Sequence, residues 1–189
     1  IKNSFKSILT FGGAYSNHIA ATAAAGKQYN IKTYGVVRGD ELSRSFLNNP
    51  TLQFAHSCGM ELIFVTRKQF SLKNDVGFIN DLNVKYNYPY IIPEGGTNQL
   101  AIKGCEEILN NQTKTYDYIC CPVGTGGTIS GLINASQLNQ KVIGFSALKG
   151  DFLKNEINKF VTKTNWELIT TYHFGGYAKI SSELISFIN

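Results

Sequence analysis

Two open, mainly parallel α/β/α domains are predicted, and three observations predict them. Short apolar runs rich in β-branched and aromatic residues alternate with longer helix-like segments along all 189 residues, the pattern of a parallel sheet covered by helices. With 43% hydrophobic residues, the chain can bury a core, and its length suits one large domain or two small ones. A turn-rich stretch, PEGGTN at Pro93 to Asn98, interrupts the alternation near its middle. Ligand clefts commonly form between lobes, so the boundary is placed there: residues 1–95 form a smaller domain and residues 96–189 part of a larger one.

The elements follow in order. Strands are expected over 7–11, 33–37, 61–65, 90–92, 116–123, 141–145 and 167–170, where the apolar runs fall. A helix built on the alanine-rich AATAAAG runs from about Asn17 to Tyr29. Another starts at Pro50, whose fixed φ suits the first helical position, with Asn49 available as its cap. Further helices are expected over 68–86, 99–110, 128–138, 151–162 and from Ser181 onward. No internal repeat or low-complexity linker breaks the succession.

Composition narrows the function classes. The net charge of +5, from 18 Lys and Arg against 13 Asp and Glu, is scattered with no block of five like charges, which gives nucleic-acid binding little support. A mild positive balance also suits a ligand carrying phosphate and carboxylate groups, although a solvated surface accounts for most of these lysines. No run approaches the roughly 18 apolar residues of a membrane span, and the N-terminus lacks a signal peptide's layout. The four cysteines show no metal-ligand spacing; Cys120 and Cys121, adjacent in an apolar run, read as small buried hydrophobes. A soluble cytoplasmic protein without a metal site is expected. Residue 1 is not methionine, and residue 189 lies within the apolar-periodic segment Leu184, Ile185, Phe187, Ile188, so a longer polypeptide, cut at both ends, is expected.

The sharpest local feature is the strand TYDYICCPV, the loop GTGGT and the helix-like ISGLINAS. Glycines let backbone N–H groups approach a phosphate, a helix N-terminus adds positive potential, and Thr125 and Thr128 supply hydroxyls. Gly124, Thr125, Gly126, Gly127 and Thr128 are therefore candidate phosphate ligands, against the plainer reading of a tight strand-to-helix turn. A P-loop would need GK followed by Ser or Thr, and a dinucleotide fingerprint would need glycine where Ile129 stands. A second constellation, GGAYSNH at Gly12 to His18, gathers polar groups at another helix start. Ser16 or Asn17 could serve only as the N-cap; with Tyr15 and His18 they could also receive a small anion such as an amino acid carboxylate.

These segments, TFGGAYSNHIAATAAAGK and PVGTGGTISGL with IPEGGTNQLAIKGCEEI between them, closely resemble the 1-aminocyclopropane-1-carboxylate deaminase and D-cysteine desulfhydrase family over essentially all 189 residues. The resemblance implies a tryptophan synthase β-like fold (fold type II), with pyridoxal 5'-phosphate in the cleft between the two domains. It implies that Asn17 bonds the cofactor's phenolic oxygen, that Ser16 and His18 face the substrate carboxylate, and that Gly124 to Thr128 cradle the cofactor phosphate. Thr97 and Asn98 would lie near the substrate. Tyr177, in HFGGYAK, falls at the family's active-site tyrosine, or is a packing aromatic beside a glycine turn; His56 and His173 match no motif. A small amino acid substrate and a homodimer are implied as well. The departure is the Schiff-base lysine: the family's GNKxRK-like segment, ahead of the GGAYSNH strand, has no counterpart here, and Lys2, Lys6 and Lys27 stand in other contexts. Truncation, omitted residues or natural loss would each explain it, and this 189-residue chain is expected to be inactive or nearly so. The rival readings are a non-catalytic phosphate- or nucleotide-binding α/β domain and a purely structural α/β module.

Overall fold

The structure, a computed structural model, describes residues 5–176 and 179–189. The chain forms two compact units, Ile1–Gly96 and Thr97–Asn189.

In the first unit, strands β1 (Ser7–Gly12), β2 (Lys32–Arg38), β3 (Glu61–Val65) and β4 (Tyr90–Ile91) make a parallel sheet in the order β3-β2-β1-β4. Alternate residues of a strand face opposite ways, and the burial follows. Leu9, Phe11 and Val36 pack with Phe70 and Leu82, which belong to helices α3 (Arg67–Ser71) and α4 (Val76–Lys85). The opposite face meets α1 (Asn17–Tyr29) and α2 (Pro50–Ser57), whose Ile19, Ala23 and Ala55 cluster with Met60. Gly35 lies on that face, where a Cβ would stand 2.8 Å from the Met60 sulfur. Helices thus cover both faces, and each fully buried Leu, Ile or Phe contributes about 1.5–3 kcal/mol of transfer free energy.

Two details differ from the sequence reading. The single helix expected over 68–86 is two. A reciprocal capping box between Thr66 and Gln69 starts α3, and the Asp75 carboxylate accepts from the Phe78 N–H at 3.0 Å to start α4, so the chain turns between them. Between β2 and α2 lie two 3₁₀ turns, Asp40–Arg44 and Phe46–Asn48, that no periodicity announced. Asn49 caps α2 as expected, accepting from the Leu52 N–H at 3.0 Å with Pro50 behind it.

In the second unit, β5 (Tyr118–Val123), β6 (Lys141–Ser146) and β7 (Trp166–Ile169) form a parallel sheet in that order. Cys121, Val123 and Val142 pack with Ile129, Leu132 and Ile133 of α6 (Gly127–Ala135) and with Leu153 and Ile157 of α7 (Phe152–Asn158). Cys120 corrects the sequence reading: it is exposed while Cys121 is buried, because adjacent strand residues face opposite sides. Burial pushes the Cys121 thiol up, with the nearby Cys105 adding to the effect. The strand begins at Tyr118 rather than 116, since the Gln140 side-chain amide donates to the Thr113 and Tyr116 carbonyls at 2.8 Å and holds that stretch in a turn. The α6 helix stops at Ala135, where the Lys163 ammonium donates to the Asn134 and Ser136 carbonyls. Helix α5 (Gln99–Glu106) packs close against α6: a Cβ on Gly131 would stand 2.7 Å from the Ile102 carbonyl oxygen. Helix α8 (Ser182–Ile188) ends the chain, its first turn capped by Ser181. No helix among the described residues is long and apolar enough to cross a membrane.

Candidate functional site

The loop after β5 carries the first part of the site. Gly126 has φ +90° and is the N-cap of α6, a conformation that favours glycine. A Cβ there would meet Ile157 at 3.1 Å, and one on Gly127 would meet the Thr97 hydroxyl at 3.0 Å; at Gly124 it would meet nothing within 4 Å. Packing therefore accounts for two of the glycines, while the third leaves open space at the loop. The Ser130 hydroxyl donates to the Gly126 carbonyl at 2.7 Å and holds the bend from below.

The helix start is equally informative. Among helices of eight or more residues, α1, α2, α4 and α5 each have a side-chain cap, from Ser16, Asn49, Asp75 and Asn98. Helix α6 has none, because glycine stands at its N-cap. Its first-turn N–H groups have no side-chain acceptor and lie at the positive end of the helix dipole, open to solvent or an anion. Gly124, Thr125 and Thr128 are exposed, while Gly126 is buried beneath them. The Thr125 and Thr97 hydroxyls lie 2.7 Å apart. Thr97, expected near the substrate, is thus gathered at this loop, and its neighbour Asn98 is engaged as the α5 cap, accepting from the Ala101 N–H at 2.9 Å. The donor set and the free space at Gly124 fit a phosphate.

In the first unit, the sheet order reverses at β1, whose neighbours β2 and β4 lie on either side. Ligands of open α/β sheets gather beyond the strand ends at such a reversal. The segment that follows β1 is built tightly. Gly12 has no room for a Cβ, which would fall 2.6 Å from Ile19 and 2.7 Å from the Ser16 hydroxyl. Ser16 is the N-cap, accepting from the Ile19 N–H at 3.2 Å, and Asn17 is exposed in the first turn. His18 is half-buried. Its Nε2 lies 2.6 Å from the hydroxyl of Thr10, which donates to the Ile92 carbonyl at 3.0 Å. On the ring's other edge sits Gly96, φ +72°, where a Cβ would stand 3.0 Å from Nδ1. Burial lowers the His18 pKa from 6.5, which keeps the ring neutral at pH 7.

Thr10 and Gly96 were not found from sequence. A threonine between Leu9 and Phe11 looks like any strand residue, and its partner Ile92 is 82 positions away. Tyr177 lies outside the described residues. His56 packs edge-on against Phe46 with centroids 5.2 Å apart, and His173 accepts from the Gly175 N–H at 3.1 Å. No cluster of three or more His, Cys, Asp or Glu able to hold a metal occurs among the described residues.

Comparison with known proteins bears on the family and the fold. The pattern of the pyridoxal-phosphate dependent enzyme family matches residues 3–172. A mitochondrial bifunctional D-cysteine desulfhydrase/1-aminocyclopropane-1-carboxylate deaminase of Arabidopsis thaliana is 28% identical over 209 residues, covering 96% of this chain and 52% of its own. A Thermotoga maritima protein provisionally named a 1-aminocyclopropane-1-carboxylate deaminase is 27% identical over 207 residues, covering 97% of this chain and 64% of its own. The chain thus spans between half and two thirds of the length of these curated relatives. The crystal structure of an ACC deaminase homologue superposes with a TM-score of 0.73 at 24% identity, over 98% of this chain and 61% of that one. That of a pyridoxal 5'-phosphate-dependent aspartate racemase gives 0.60 at 21% identity, over 84% and 45%. These two likenesses speak for the fold. With a family match running from residue 3 to 172 and the fold of those enzymes beneath it, the chain belongs to the pyridoxal-phosphate dependent enzymes, and the curated relatives it resembles carry the names of 1-aminocyclopropane-1-carboxylate deaminases and a D-cysteine desulfhydrase.

Proposed function

We propose that this chain supplies the ligand-holding body of an amino acid deaminase or lyase that releases ammonia and a 2-oxoacid, from either 1-aminocyclopropane-1-carboxylate or a D-amino acid such as D-cysteine. The observation that carries the reading is the uncapped start of α6 behind the open loop at Gly124. Bound pyridoxal phosphate supplies an electron sink for the bond broken at the substrate Cα. The residues of this chain hold the ligands. The N–H groups from Gly124 to Thr128 hold the cofactor phosphate, helped by the hydroxyls of Thr125 and Thr97, and Asn17 bonds the phenolic oxygen. On the family resemblance, Ser16, His18, Asn98 and Tyr177 serve the amino acid. Fixed donors at a helix start need no rearrangement when the anion arrives, which is what makes them effective holders.

The 189 residues contain no GNKxRK-like segment, so on this reading the 189-residue chain alone does not turn over, while the full-length enzyme acts as a cytoplasmic homodimer. That same observation favours one rival, a non-catalytic phosphate- or nucleotide-binding α/β domain. Side-by-side assays of the full-length protein separate the possibilities. Pyruvate with sulfide from D-cysteine marks a desulfhydrase, and oxobutyrate from the cyclopropane amino acid marks a deaminase. Neither product, together with no visible absorbance from added cofactor, would leave the rival standing.

A further inference from the structure

The environment of His18 holds more information than its place beside Ser16 and Asn17. Thr10 is fully buried, and its hydroxyl has one proton and two close neighbours, the Ile92 carbonyl oxygen at 3.0 Å and His18 Nε2 at 2.6 Å. A carbonyl oxygen only accepts, so the proton belongs to the bond with Ile92. The short contact to His18 is then satisfied only if Nε2–H donates to the threonine oxygen. The Ile92 acceptor is itself fixed, because the Ile92 N–H donates to the Leu9 carbonyl at 2.9 Å, and Gly96 closes on the ring from the other edge.

We propose that Thr10 is a positioning residue that locks His18 in the Nε2–H tautomer and leaves Nδ1 as a bare hydrogen-bond acceptor at the start of α1. The inference rests on the reading of this helix start as the amino acid end of the site, and it changes what His18 does there. A neutral ring whose one N–H is already committed has nothing to donate to a carboxylate. His18 therefore receives a donor of the amino acid, its ammonium or a side-chain thiol or hydroxyl, and the carboxylate falls to Ser16 and the N–H groups of the helix start. Second-neighbour bonds of this kind are how proteins fix which imidazole nitrogen carries the proton.

The test is the tautomer itself, read by long-range proton–nitrogen correlation in histidine-labelled intact protein without substrate, with the His18 signals identified by their loss in His18→Gln. The expected pattern is a protonated Nε2 and an unprotonated Nδ1 in the unaltered protein, retained in Thr10→Ser. In Thr10→Val, a near-isosteric change that removes the acceptor, Nδ1 shifts toward the protonated position. An Nδ1–H tautomer in the unaltered protein, or a pattern untouched by Thr10→Val, overturns the proposal. Because the signal does not depend on turnover, a protein inactive on both amino acids with the expected tautomer fails the functional reading alone. An active one with the opposite tautomer fails this proposal alone.

Discussion

A methyl group at Gly124 meets nothing within 4 Å, so Gly124→Ala separates folding from ligand holding. Stability is expected to change by no more than about 0.5 kcal/mol, the scale of an unobstructed surface substitution. Cofactor affinity is expected to fall about tenfold or more, roughly 1.4 kcal/mol, because the methyl occupies the space that the phosphate needs. Thermal melts and a cofactor titration of the same variant check both halves. His18 gives a prediction in pH. Burial lowers its pKa below 6.5 in the folded protein, so between that lowered value and about 6.5 the unfolded chain binds more protons. Stability should therefore rise with pH across that window and level off above it. Urea melts from pH 5 to 8 should show this slope and lose part of it in His18→Gln; an unchanged slope would count against the buried neutral ring. At this scale, the sequence discloses residues whose partners are near in the chain, such as Asn49 with Leu52. Thr10 and Gly96 stay hidden because their partners, Ile92 and His18, are brought to them only by folding.

At the scale of elements, periodicity locates every strand, because apolar β-branched runs have few other uses in a chain of this composition. It fails where a side chain rather than a pattern decides an end. Asp75 divides what reads as one helix, and Gln140 keeps 116 and 117 out of β5 by binding the turn before it. Caps also decide how Ser16 should be tested, since its side chain accepts from Ile19 N–H whatever else it does. Ser16→Ala is expected to cost about 1 kcal/mol of stability through the lost cap. Ser16→Asn keeps a capping oxygen, so its stability should stay close to that of the unaltered protein. A fall in kcat/KM in Ser16→Asn at unchanged melting temperature would assign the hydroxyl to the substrate; unchanged kinetics would leave it a cap.

At the scale of the molecule, the α/β class is legible because helix-like and strand-like segments alternate, but the strand order is not. The chain runs outward from β1 to β3 and then returns to place β4 on the far side of β1. Nothing local in Tyr90 and Ile91 states that they pair with Ile8 and Leu9. That return makes the reversal at which His18 and Gly96 meet. A ligand that binds only the folded state stabilises it by mass action, by about 2.7 kcal/mol at a hundred times its dissociation constant. The full-length protein should therefore melt higher with pyridoxal phosphate, and less so with inorganic phosphate at the same concentration. Equal shifts from the two would favour a plain anion site.

The contact at Gly131 reaches beyond its own neighbourhood. Helix α5 begins just after Thr97, helix α6 begins at the glycine loop, and the two are clamped together where Gly131 lies against Ile102 and Cys105. They behave as paired jaws on one rivet, about four residues, or roughly 6 Å of helix axis, from the tips. Gly131→Ala would drive a wedge at the rivet, parting the Thr97 and Thr125 hydroxyls. The grip on phosphate should slacken in a cofactor titration, although no group that touches the anion has been altered.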